Sequence, residues 1–243
     1  MTRTPGSTRS PTPRSPLTIS VVIPTWCEQA GIARAVTSAL AIGDEVIVAD
    51  GGSTDDTAAL ARAAGARVVD APRGRGPQLH AGAGAAQGDV LLFLHADAEL
   101  PRSARRAIEE ALSDERVVGG NFHLRFVPGS RAARIFTWAN HVRRRFLRIY
   151  YGDSALFVRR EVYASLGGFR ALPILEDYDL VRRLERAGRT AYVRHVTVAA
   201  SARRFEDAPL RTLALWTALQ VSYSLFRVHP DRLAWLYENV RAR

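Results

Sequence analysis

The sequence predicts an α/β fold with a mostly parallel central sheet flanked by helices. Two observations carry that expectation. From Leu17 onward, short β-branched runs alternate with helical stretches, the rhythm of strand–helix–strand units. The run Val90–Leu94 is apolar without alternation, as in a central strand covered on both faces.

Taken in order, LTISVVIP reads as a strand and EQAGIARAVTSAL as a helix. DEVIVAD, DDTAALARAAG and ARVVDA follow as strand, helix and strand. GPQLHAGAGAAQG is a helix of small residues, DVLLFLHAD a strand and SARRAIEEALS a helix. Then the character changes. GGNFHLRF (119–126) reads as a strand, and residues 130–150 as an amphipathic helix with Ile135, Trp138, Ala139, Val142 and Phe146 on its apolar side. YGDSALFVRREVYASLGGF gives a strand and a short helix, and a charged helix begins at Glu176-Asp177. TLALWTALQVSYSLF (212–226) is too short for a membrane span and carries Gln220, so it reads as a core helix or one lying on a membrane surface.

At 243 residues the chain is long enough for one sizeable core, expected over 17–238 with halves at 17–115 and 116–238. Residues 1–16, rich in Pro, Ser, Thr and Arg, read as a disordered tail without the apolar core of a signal peptide. Net charge is +10, and all 34 basic residues are arginine. The excess predicts attraction to phosphates or acidic lipids. A single cysteine, Cys27, excludes an internal disulfide and a cysteine-based zinc site, and suits a cytoplasmic setting. The absence of lysine excludes a P-loop, and no GxGxxG follows the first strand.

In parallel sheets ligands bind outside the carboxyl ends of the strands. There the chain places Pro24-Thr25-Trp26-Cys27-Glu28, Asp50-Gly51-Gly52-Ser53-Thr54-Asp55 and His95-Ala96-Asp97. Helix capping accounts for Ser53 to Asp56, but not for Asp50 or Asp97. Burying an unpaired carboxylate costs on the order of several kcal/mol, so Asp97 calls for a partner or a solvent-filled mouth. In an extended chain residues 95 and 97 project to the same side, where both can face one ion.

The ordered motifs VVIPTWCE, IVADGGSTDDT, FLHADAELP, GGNFHL, YGDSALFVRR, GGF and LEDYDLVRRL resemble the family 2 glycosyltransferases of GT-A fold, a Rossmann-like architecture with acceptor-side helices at the C-terminus. They are most similar to a small bacterial subgroup with FLHAD and ED signatures, some of arsenosugar-biosynthesis type. The resemblance implies an inverting, divalent-metal-dependent transferase acting from a nucleotide sugar, with uridine the favoured base. It implies that Pro24, Thr25, Glu28 and Asp50 form the nucleoside pocket, which Arg75, Gln78 and Ala96 continue toward the phosphates. Asp97 and His95 stand at the Asp-x-Asp position that binds Mn²⁺ or Mg²⁺. With imidazole in the set, Mn²⁺ is expected to serve at least as well as Mg²⁺. His95 has the alternative of simply packing there.

Asp177 resembles the general base of the ED motif, with Glu176 beside it, and desolvation suits a carboxylate to that role. The plain alternative for both acids is a helix N-terminus. Arg203 and Arg204 resemble the arginine-rich motif near the diphosphate, with Phe205 where Trp is common. Asp153 is either an acceptor-side residue or a turn residue. Cys27, where the family often has Asn, and His95, in place of the first acid, depart from the pattern.

The acceptor is expected to be a small molecule or a lipid-like compound. The cluster Arg143, Arg144, Arg145 and Arg148 reads as a solvated helix face or as a contact with an anionic membrane at its inner face. The competing class is an Arg-rich nucleic-acid- or membrane-surface-binding protein on a degenerate transferase fold. Acids gathered at the strand ends and the lack of a nucleic-acid motif oppose a nucleic-acid partner. A nucleotidyltransferase of related fold lacks its Gly-rich loop and lysine here.

Overall fold

The computed structural model describes residues 16–202, 209–224, 226 and 228–241. Nearly all of the expected tail, and Arg203, Arg204 and Phe205, lie outside the described residues. One eight-stranded sheet organises the chain. Its first half runs β1 (Ile19–Thr25), α1 (Ile32–Leu40), β2 (Glu45–Asp50), α2 (Thr57–Ala63), β3 (Arg67–Asp70), α3 (Arg75–Ala85) and β4 (Val90–Phe93). Next come the two-residue β5 (Ala98–Glu99), α4 (Ser103–Leu112) and the long β6 (Val117–Val127). The second half adds α5 (Arg131–Val142), β7 (Leu156–Arg159), α6 (Arg160–Ser165), α7 (Glu176–Ala187), β8 (Arg189–Ser201), α8 (Pro209–Ser224) and α9 (Pro230–Arg241).

The strand order is β3-β2-β1-β4-β7-β6-β8-β5. β3, β2, β1 and β4 are parallel, in line with the local alternation of the sequence. β7 is antiparallel to both β4 and β6, and β8 returns parallel to β6. One core cluster, with Val21, Ile23, Leu92, Phe122 and Phe157, lies under α1 and α4; a second, with Val22, Leu91, Phe93 and Leu180, lies under α3 and α7. The two sides of β4 feed different clusters, which is why its run is apolar without alternation. α3 packs closely enough on β1 that a Cβ on Gly82 would stand 2.4 Å from Val22 Cγ1.

Two sequence expectations are corrected. β4 stops at Phe93, and His95–Asp97 form a turn closed by the Ala98 N–H donating to the His95 carbonyl at 3.1 Å. The strand alternation that would put residues 95 and 97 on one side therefore does not apply to them. The helix expected over 130–150 is α5 followed by a π-helical turn, Arg143–Leu147, and its core-facing side is not the apolar stripe of the sequence. Ala133, Phe136, Asn140 and Arg144 are buried instead. Arg144, expected on a solvated face or a membrane contact, donates to Asn121 Oδ1 (2.6 Å), Thr190 Oγ1 (3.0 Å) and the Ala191 carbonyl (3.1 Å), and pairs with Glu185. A buried guanidinium is tolerated because these acceptors replace its water.

Candidate active site

The carboxyl ends of β1, β2 and β4 and the N-termini of α3 and α7 meet at one edge of the sheet. Asp50, at the end of β2, is buried, and its carboxylate accepts from the Gly52 and Ser53 N–H groups (3.2 and 2.9 Å), Ser53 Oγ (2.5 Å) and Thr25 Oγ1 (3.2 Å). It thus shapes the turn after β2, a local role that capping patterns alone did not suggest. Ser53 does not cap α2. Its hydroxyl accepts from the Cys27 N–H at 2.9 Å, and Thr57 Oγ1 accepts from the Glu28 N–H at 2.8 Å. Asp55, just before the start of α2, accepts from the Thr57 hydroxyl and from the Thr57 N–H (3.1 Å), and these bonds, the hydroxyl's first, hold its carboxyl below the usual range. The loop Pro24–Glu28 is therefore sewn to the loop after β2, with Cys27 held at φ 54°.

Gln78, buried on α3, ties the same edge together. Its amide nitrogen donates to the Thr25 carbonyl (2.5 Å) and the Ala49 carbonyl (3.0 Å), while its oxygen accepts from the Gly74 N–H (3.3 Å). One side chain thus fixes the ends of β1 and β2 against the start of α3.

Three residues before Gln78, Arg75 pairs through Nε with Glu176 and approaches Asp177 Oδ2 to 3.8 Å. Burial works against the guanidinium charge, but Glu176, Asp177 and Asp153 outweigh it and raise its pKa. Glu176 is almost wholly buried, and desolvation pushes its carboxyl up despite Arg75. Asp177 is buried beside it. Its Oδ2 accepts from the Gly152 N–H at 2.8 Å, and its Oδ1 from the Tyr178 N–H at 2.7 Å. A Cβ on Gly152 would lie 3.1 Å from His95 Nε2 and 3.3 Å from Asp177 Oδ2, so a larger residue there would press on both groups. Leu175, the residue before α7, is held at φ 61°; with Ala155 (φ 52°) and Cys27 it makes three left-handed non-glycine residues around this edge. Such strain persists where surrounding structure over-determines it.

Asp97 is half-buried in the turn after β4 and lines a cavity of about 100 Å³ with Glu28, Arg34, Ala96, Glu99 and Ser201. The Ser201 N–H donates to the Asp97 carbonyl at 3.2 Å, so β8 ends beside it. Among the described residues no group of three or more His, Cys, Asp or Glu side chains could hold a metal ion. The donor chemistry still suits a hard divalent cation that takes most of its ligands from phosphate and water, with one carboxylate from the protein. Nε2 of His95 lies close to Gly152, and Asp97 lines the cavity.

The Glycosyl transferase family 2 model matches residues 20–166, more than half of the chain. The chain belongs to glycosyl transferase family 2. It is 39% identical over 93 residues to glucosyl-3-phosphoglycerate synthase of Mycobacterium tuberculosis, covering 33% of this chain and 29% of that one. An uncharacterized glycosyltransferase of Rickettsia felis is 42% identical over 92 residues, covering 37% and 32%. The matches thus span under a third of these curated relatives. The crystal structure of the Mycobacterium tuberculosis synthase with Mn²⁺, UDP and glucosyl-3-phosphoglycerate superposes with a TM-score of 0.62 at 26% identity, covering 87% of this chain and 80% of that one. Its complex with Mn²⁺, UDP-glucose and phosphoglyceric acid gives 0.61 at 26% identity, covering 87% and 79%. The mixed α/β sheet is therefore the GT-A arrangement.

The family chain also uses residues that its sequence did not single out. Arg73 stacks its guanidinium 3.6 Å from the ring centre of Trp26, which is 44% exposed in the Pro24–Glu28 loop. Tyr151 donates to Gln220 Oε1 at 2.7 Å, which fastens α8 next to Asp177. Gly152 acts through its backbone alone and has no side-chain signature. In the sequence, RGRG at 73–76 is a weak Gly/Arg signal for Arg73, and Gln220 is only a polar break in an apolar run.

Proposed function

We propose that this chain transfers a sugar from a UDP-sugar to a hydroxyl acceptor with inversion, Asp177 acting as general base. The observation that carries the proposal is the placement of Asp177. Its buried carboxylate is pinned by the Gly152 N–H at the strand edge where the donor-side loops end. A carboxylate held in this way is oriented before the acceptor arrives, so little reorganisation accompanies proton removal. Glu176, neutralised by Arg75, positions rather than reacts, and Gln78 with Asp50 keeps the donor loops in shape. Pro24, Thr25, Trp26 and Glu28 receive the nucleoside.

Uridine as the base is supported by the UDP in the superposable synthase complexes. In the same complexes Mn²⁺ accompanies UDP, which supports Asp97 as the carboxylate ligand of a divalent cation here. When bound, the cation offsets charge on the departing diphosphate. Arg203 and Arg204, following β8, are proposed to meet the diphosphate, and Asp153 to border the acceptor. The acceptor class is left to assay, with phosphoglyceric acid, arsenosugar precursors and amphiphilic alcohols as the chemical range.

The test is UDP release from UDP-sugars with Mn²⁺ across that acceptor range, for the natural chain and Asp177→Asn. Acceptor-dependent release, lost in the variant while UDP still binds, supports the assignment. Wild-type turnover by Asp177→Asn removes Asp177 as the base.

A further inference from the structure

α5 starts cleanly, with Ser130 Oγ accepting from the Ala133 N–H at 3.1 Å. Its buried side is Ala133, Phe136 and Asn140, continued by Arg144 in the π-helical turn, so the other apolar residues are left outside. Ile135 is 57%, Trp138 66%, Phe146 73% and Leu147 59% exposed. At about 100° per residue Arg131, Ile135, Trp138 and Val142 fall on one stripe, which Phe146 extends. With Ile135, Trp138 and Phe146 each more than half exposed, the stripe stands out as a ridge and not a groove, and Leu147 is exposed beside Phe146. Soluble chains do not ordinarily leave such a contiguous set uncovered.

Within the segment that carries the ridge, the charge has one sign. Residues 128–150 contain six arginines and no acidic residue. Arg131, Arg134, Arg145 and Arg148 are exposed. Glu185 pairs with buried Arg144 and, at 3.5 Å, with Arg148, whose side chain stays exposed; Arg131, Arg134 and Arg145 complete the rim. Among the described residues no helix is long and apolar enough to cross a membrane.

We infer that the ridge of Ile135, Trp138, Phe146 and Leu147, rimmed by Arg131, Arg134, Arg145 and Arg148, is a docking surface for an anionic lipid bilayer. A protruding aromatic and aliphatic ridge enters the headgroup–acyl boundary, and guanidinium groups at its foot meet the lipid phosphates. An acidic protein groove would offer the charge but would have to be shaped to a ridge. A second copy of this chain would bring like charge against like. Past the ridge the chain turns inward at buried Tyr150 and reaches Gly152, whose N–H donates to Asp177. The inference stands apart from the transferase proposal, because vesicle binding needs neither donor nor metal.

The 243-residue chain is sedimented with vesicles of phosphatidylcholine alone and of phosphatidylcholine mixed with phosphatidylglycerol. Association with the mixed vesicles only is expected. Trp138→Ser/Phe146→Ser, at exposed positions that the core does not use, and Arg134→Glu/Arg145→Glu should each weaken it about tenfold or more. Unchanged circular dichroism and melting would show that both variants fold. Equal sedimentation of either variant, or no sedimentation of the natural chain, overturns the inference. So does a dimer in analytical ultracentrifugation that Trp138→Ser/Phe146→Ser dissolves, since the ridge would then belong to an interface between copies.

Discussion

Replacing Arg75 by Met keeps the length of the side chain and removes the charge that faces Glu176. Glu176 is 1% exposed and is already pushed up by desolvation. Removing one partner of a buried pair costs about 3–5 kcal/mol. The guanidinium side chain is 37% exposed, so solvent screening brings the cost to about 2 kcal/mol or a little more. At about 2–4 °C per kcal/mol for a domain of this size, the melting temperature should fall by about 4–8 °C near pH 8.

The pH dependence has a definite sign. A carboxyl whose folded pKa lies above its unfolded value of about 4.3 binds more protons when folded, so stability falls as pH rises through that window. Loss of Arg75 raises the folded value further and widens the window upward. The deficit of Arg75→Met relative to the natural chain should therefore be larger at pH 8 than at pH 5. Differential scanning calorimetry at the two values reads this directly. Arg75→Met/Glu176→Gln, which leaves no buried charge at position 176, should recover most of the loss. A single variant that melts like the natural chain at both pH values, or a double variant no better than the single one, would refute the electrostatic account of this contact.

Further expectations follow from the same edge. Asp177→Asn should lower kcat by about 10²–10⁴ with little change in UDP affinity, measured by UDP release and calorimetry. Gln78→Leu leaves the Thr25 and Ala49 carbonyls without their donor, and chemical denaturation should show a loss of about 1–3 kcal/mol, together with weaker UDP binding. Gly82→Ala drives a methyl group against Val22 Cγ1 and should cost about 1–3 kcal/mol while sparing the metal dependence of binding.

The parallel half of the sheet was legible because its signal is local: each strand is followed at once by the helix that returns the chain. The pairing of β6 with β7 and β8 joins segments far apart in sequence, and periodicity carries no information about it. The end of β4 was misplaced because Leu94-His95-Ala96-Asp97 continues an apolar strand into a turn without a Gly or Pro to mark it. On α5 two faces repeat at helical spacing. The more apolar one was expected inside, but Phe136 packs on Trp216 and Arg144 finds buried acceptors, so the core took the other.

At the site, Glu176 and Asp177 stood out as a motif. Their link to Arg75 spans 101 residues and was visible only in three dimensions. The sequence had placed Arg75 and Gln78 toward the phosphates. The structure shows Arg75 beside the candidate base and Gln78 buried beneath the loops.

Calorimetric titration of UDP in the presence and absence of Mn²⁺, on the natural chain and on Asp97→Ala, tests the central claim most directly. The account predicts binding that requires Mn²⁺ and is lost in Asp97→Ala, with the fold of the variant intact by circular dichroism. UDP binding that ignores both the metal and the substitution, or no binding at all by the natural chain, would contradict it.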